Sequence, residues 1–92
     1  MEIDISEIKI VGNWSFDGSK IIADEQSLRI ERLIANYLTK IKTDYSGWDT
    51  LYRDPDDGRY WELIYPKSEM QGGGPPSLIL LSDDQASNKY TL

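Results

Sequence analysis

Carboxylates are the residues in this chain best suited by type to do chemistry. Glu62 and Glu69 flank a Tyr-Pro step and have the side chains of a glycosidase pair, one acid protonating the leaving oxygen and the other attacking or activating water. Such a pair needs a cleft that buries a sugar and raises one pKa. A chain of 92 residues with one evident helix has little material for that. A small carboxylate-dependent hydrolase therefore stands only as an alternative, and both acids are expected to be solvated or partner-facing. Asp54, Asp56 and Asp57 precede Gly58 and invite a calcium reading. An EF-hand loop needs oxygens at positions 1, 3 and 5, Gly at 6 and Glu at 12. Counted from Asp54, position 5 is Gly58 and position 12 is Tyr65, so the motif fails and an Asp-rich turn is expected. With no histidine and no cysteine, the usual general base near neutral pH and the thiolate ligands are missing. No catalytic residue, metal site or cofactor is expected.

A third feature is Gly72-Gly73-Gly74-Pro75-Pro76. Three glycines let a backbone form an anion nest, but a phosphate loop wants Lys-Ser/Thr opening a helix, and here two prolines lead into an apolar strand. The stretch reads either as a sharp connection stiffened at its exit or as a loop shaped to dock against a partner backbone.

Charge separates the function classes further. Sixteen acids stand against ten Lys and Arg, a net charge of −6, and a phosphate backbone repels such a surface. Direct nucleic-acid binding is not expected; an acidic face complementary to a basic protein is. The excess is local. Residues 44–69 hold seven acids against Arg53, Arg59 and Lys67, whereas residues 24–42 hold three acids against four bases. The acidic start MEIDISEIKI lacks the basic, apolar pattern of a secretory signal, and no stretch approaches the ~20 apolar residues that span a bilayer. A cytoplasmic protein with no membrane partner is expected.

These residues need elements to hold them. One domain is expected over residues 1–92. Residues 1–9 read as a frayed lead-in or an edge strand. The runs at 10–16 and 19–23 flank Asp17-Gly18, a two-residue hairpin signal, which pairs Trp14 with Ile21 and makes both core. Asp24 is a plausible N-cap, and Leu28, Ile30, Leu33, Ile34, Tyr37, Leu38 and Ile41 recur at helical spacing. That predicts a helix ending near Thr43, with a Glu25–Arg29 pair and with Lys40 and Lys42 in its last turn. A second hairpin turns over Pro55 to Gly58, pairing Tyr52 with Trp61, Thr50 with Leu63 and Trp48 with Tyr65. Those six should pack on the helix, leaving Asp49, Tyr60 and Glu62 outward. Ser77 to Leu81 reads as a well-covered strand, and Ser82 to Gln85 as one capped helical turn. The fold class is α+β: a mostly antiparallel sheet of four to five strands with one main helix packed on one face.

Several of these stretches resemble a known family. Val11-Gly12-Asn13-Trp14, Ser46-Gly47-Trp48, Asp54-Pro55, Asp57 to Leu63, Tyr65-Pro66 and Ser68 to Pro76 are similar to Immunity protein 27, small proteins of bacterial polymorphic toxin systems. The resemblance covers about residues 11–81. It implies a non-catalytic protein that binds and neutralises a cognate secreted toxin domain. A basic nuclease would be the best electrostatic match, since acids can mimic the substrate backbone. The partner-binding residues expected on this reading are Asp44, Tyr45, Asp49, Asp54, Asp56, Asp57, Tyr60, Glu62, Glu69, Gln71 and Gly73. The alternative is a structural or homodimeric interaction module, pairing through Leu78–Leu81 or the Leu51/Ile64 face. A monomer or weak homodimer is expected.

Overall fold

The computed structural model describes residues 2–18, 20–68 and 73–92. The elements run β1 (Lys9–Val11), β2 (Trp14–Asp17), β3 (Lys20–Ala23), α1 (Glu25–Asn36), β4 (Thr39–Thr43), β5 (Thr50–Arg53), β6 (Tyr60–Ile64), β7 (Ser77–Leu81) and α2 (Asp83–Tyr90). Five strands make one antiparallel sheet in the order β1-β7-β6-β5-β4, and β2 and β3 pair apart from it. The α+β class holds, with α1 on one face.

The second hairpin folds as its residues predict. Tyr52 pairs with Trp61 and Thr50 with Leu63. Asp54 accepts the amides of Asp56 and Gly58, through its side chain and its carbonyl respectively, and so closes the turn. Tyr52, Trp61 and Leu63 then face α1, where they meet Ile30 and Leu33, with Ile10 and Leu78 beside them. Asp24 caps α1 as expected, its carboxylate accepting from Ser27 N at 2.8 Å.

The helix, however, stops at Asn36 rather than Thr43. Tyr37 N and Leu38 N both turn back to the Leu33 carbonyl, and the next five residues form β4. The helical spacing of Leu38 and Ile41 is misleading there, because Thr39, Ile41 and Thr43 are β-branched and alternate with lysine, the composition of a strand. Lys40 and Lys42 therefore lie on a sheet edge and not at a helix terminus. Arg29 does not pair with Glu25. It reaches Glu7 instead, at 2.7 and 2.9 Å, and the Glu2 carbonyl. That contact ties the N-terminal segment down, and Ile3 is fully buried in the core rather than frayed.

The first hairpin is two residues out of the expected register. Asp17 pairs with Lys20, Phe16 with Ile21 and Trp14 with Ala23. An Asp17-Gly18 loop would put a non-glycine at positive φ; moving it along by one places Gly18, at φ +66°, in the first loop position. Ile21 is exposed and Trp14 only half-buried, because this hairpin pairs apart from the main sheet, so neither is core. Phe16 is 68% exposed. Ile10 and Val11 leave this hairpin altogether and pair with β7.

The largest departure is at the C-terminal end. Ser82 and Gln85 do form a capping box, but the helix they open is the eight-residue α2, not one turn. Ala86 and Tyr90 cover Leu51 on the face opposite α1, with Tyr60 and Leu81 packed alongside. Leu51 is thus enclosed, and β7 has strands on both sides. Of the residues expected at a homodimer surface, Leu51 and Leu78 are buried, while Ile64, Ile79, Leu80 and Leu81 are half-buried.

Candidate functional site

Register decides which candidate residues can act together. Thr43, Thr50 and Leu63 form one row across the sheet, continued by Leu78 and Ile10. The segments that flank this row, 44–49 after β4, 65–68 after β6 and 73–76 before β7, lie at one end of the sheet. Thr39, Arg53, Tyr60 and Leu81 form the opposite row, and the turn holding Asp54, Asp56 and Asp57 lies beyond it. Antiparallel topology therefore separates the expected surface into two ends, one strand length apart.

At the turn end the acids are largely consumed by the fold. Asp54 is fully buried; its Oδ1 accepts from the Tyr37 hydroxyl at 2.5 Å and from Asp56 N at 2.8 Å. The Tyr37 phenol is pushed up, first by burial and then by these carboxylates. Asp56 is exposed, with its Oδ2 3.0 Å from the same hydroxyl. Asp57 is paired with Arg59 at 2.6 Å, and Arg59 also donates to the carbonyls of Asp4, Ile5 and Glu7. Tyr60 is half-buried beneath the Arg53 guanidinium, 5.5 Å from its ring centroid.

Glu62 corrects the expected inside and outside of the sheet. It is only 4% exposed, covered by α2, and accepts from the Tyr90 hydroxyl at 2.7 Å and from Lys89. Lys89 also reaches Asp49 at 2.8 Å. Burial and then the Glu62 acceptor push the Tyr90 phenol up. Glu62 is therefore engaged within the fold and does not face outward as expected. The other acid of the expected carboxylate pair, Glu69, and Gln71 lie outside the described residues.

The loop end is built differently. Asp44 Oδ1 accepts from Ser46 Oγ (2.7 Å), Gly47 N (3.1 Å) and Asp49 N (3.4 Å), and Asp44 N returns to the Asp49 carbonyl (2.9 Å). Chiefly through the Ser46 contact, its carboxyl is held below the usual range. Gly47, at φ +81°, completes the turn. This frame displays Tyr45, which is fully exposed, and Trp48, which is 55% exposed. Trp48 meets Tyr65 edge-on at 6.1 Å between centroids, but the strand ladder ends at Thr50 and Leu63, so the two touch through their rings at the surface and not as a core strand pair. Gly73 lies against Trp48: a Cβ there would stand 3.7 Å from the indole. The glycine-proline loop now has a physical explanation. At Gly74, φ is +77° and a Cβ would sit 2.4 Å from the Lys67 carbonyl, so only hydrogen fits.

Two clefts open beside these ends. One of about 570 Å³ lies at the turn end, between Arg53, Arg59, Tyr60 and the first turns of α2. The other, of about 230 Å³, lies between β4 and the last turn of α2, with Tyr45 as one wall. The first is also lined by Asp57, which Arg59 engages, and by Asp83, and the second by one carboxylate, Asp44; among the described residues no acidic cluster is spaced to hold a metal ion. Sequence reading missed Trp48 as a surface residue and missed Lys42, Lys89, Tyr90 and Thr91 as cleft residues. The Asp-x-Ser-Gly pattern before Trp48 is an Asx-turn signal that could have placed it on a loop.

Comparison with known proteins gives one finding. The family model described as Immunity protein 27 matches residues 16–82. No curated protein and no solved structure matches the chain.

Proposed function

The chain belongs to the Immunity protein 27 family, and from that premise we propose that it acts in the cytoplasm by binding a cognate toxin domain and blocking it without catalysis. The observation that carries the placement is the loop end. Two large aromatics, Tyr45 and Trp48, stand exposed on a loop fixed by Asp44. Rigid aromatic anchors of this kind dominate binding energy in many interfaces, each worth about 2 kcal/mol or more on truncation. Asp44 and Asp49 belong to the same loop, and Gly73 lies against Trp48. The net charge of −6 favours a basic partner, a nuclease domain foremost, through faster encounter. Asp54 and Glu62, both enclosed, contribute to the fold and not to the contact.

The test is co-purification and protection with the toxin domain encoded next to this chain. Wild type is expected to form a stoichiometric complex and rescue growth, with an association rate that falls as salt rises. Trp48→Ala should weaken the complex by about 30-fold, the equivalent of ~2 kcal/mol, whereas Asp56→Lys at the opposite end should leave affinity within threefold. The opposite ranking of the two variants would move the interface to the turn end, and a wild type that neither binds nor protects would refute the reading.

A further inference from the structure

The 230 Å³ cleft is walled on one side by Lys42, Asp44 and Tyr45 and on the other by Lys89, Tyr90 and Thr91. Its charges are not what the two lysines suggest. The Lys89 ammonium lies between Asp49 and Glu62 and is neutralised by them. Asp44 accepts its loop amides and the Ser46 hydroxyl through Oδ1 alone, and its Oδ2 has no hydrogen-bond partner among the described residues. The last turn of α2 ends here, with Thr91 in the left-handed conformation and its N–H returned to the Ser87 carbonyl. The remaining terminal carbonyls give that end partial negative charge. Tyr45 supplies an exposed aromatic face, whereas Tyr90 is buried with its ring 5.7 Å from the Lys89 ammonium. Lys42, on the exposed edge strand, is the one cation of the cleft not held by a carboxylate among the described residues.

We infer that this cleft is the specificity pocket of the interface and takes an arginine side chain of the toxin partner. The inference rests on the toxin-binding reading above. A planar guanidinium stacks on an aromatic face while its N–H groups reach a carboxylate and helix-end carbonyls. An acidic occupant would meet Asp44 and the negative end of α2, and an aliphatic one would strip water from Asp44 with no compensating bond. The overall acidity of the chain fits a basic partner by the same logic.

Lys42 gives the decisive variant, because it is exposed and its replacement does not touch the core. With the toxin domain encoded next to this chain, Lys42→Glu should tighten binding at low salt by about three- to tenfold, an effect that shrinks at high ionic strength. Tyr45→Ala, equally harmless to folding, should weaken it by about 30-fold, the usual scale of an aromatic anchor. Weaker or unchanged binding by Lys42→Glu, or unchanged binding by Tyr45→Ala, overturns the inference. A second measurement does not need the toxin. Titration with N-acetyl-arginine N-methylamide should shift the backbone amides of Tyr45 and Thr91, an effect lost in Tyr45→Ala, while the matching glutamate derivative should leave them in place. Shifts with arginine but no toxin complex would refute the toxin reading and leave the cleft standing. No shift, or shifts with glutamate, would refute the cleft even where the toxin binds.

Discussion

Glu62, Tyr90, Lys89 and Asp49 join α2 to the sheet through one polar cluster in an otherwise apolar contact. A buried carboxylate that loses one donor keeps its desolvation cost. Tyr90→Phe should therefore cost about 1–2 kcal/mol in urea unfolding, and Glu62→Gln a similar amount. Their double-mutant cycle should show coupling of about 1 kcal/mol, since the two variants break the same bond. Gly74→Ala should be worse, at least about 2 kcal/mol, because positive φ and the Lys67 carbonyl both exclude a methyl group. Differential scanning calorimetry would register it as a lowered Tm. At this scale the sequence was legible where a residue acts on near neighbours, as Asp24 does at its cap and Asp54 at its turn. It was not legible where the partner comes from a distant segment. Nothing local to Glu62 announces Tyr90, and nothing near Arg59 announces the carbonyls of residues 4–7.

Among the elements, β4 carries its own protection. It is an edge strand of alternating threonine, lysine and isoleucine, with a register shift between Lys40 and Lys42. Lysines and bulges on an edge discourage pairing with another copy. The Lys40→Val, Lys42→Val double variant should self-associate in sedimentation experiments at concentrations where wild type does not. The period of the pattern explains why this strand was read as helix: Tyr37, Leu38 and Ile41 satisfy a helical stripe, and only the β-branched alternation after Asn36 argues against it. By contrast, the period-2 pattern of Tyr52, Trp61 and Leu63 specified both a register and a buried face, because a slip of one residue would have exchanged all three with the face that carries Leu51, Arg53 and Glu62. The helix α2 was underestimated since its buried stripe is just Ala86 and Tyr90, too sparse to declare a length.

For the molecule as a whole, acid should be the destabilising direction. Glu7 is held below the usual carboxylate range by the Arg29 hydrogen bonds. Burial pushes Asp57 up, but the Arg59 backbone and guanidinium bonds outweigh it and leave the group low. Both bind protons more readily unfolded than folded. Stability should therefore rise with pH from the acid side and level off above about pH 5, where the unfolded carboxylates have ionised. Urea midpoints measured from pH 3 to 7 would show this, and Arg29→Met should flatten part of the acid limb. The acidic surplus that the composition displays is in large part internal currency for holding segments together: Glu7, Asp54, Asp57 and Glu62 are each engaged within the fold. That is why counting charges along residues 44–69 overstated how much acid faces a partner.

The stretch matched by the family model ends at Ser82, the capping residue of α2. Tyr45 and Asp44 lie within that stretch, while Lys89, Tyr90 and Thr91, the far wall of the cleft, come after it. One half of the pocket is carried by the sheet and its loop, and the other half rides on a helix docked through two buried side chains and one polar cluster. Such an appendage can be exchanged without redesigning the sheet. Grafting another sequence onto residues 83–92 should therefore reshape the cleft while leaving the sheet folded.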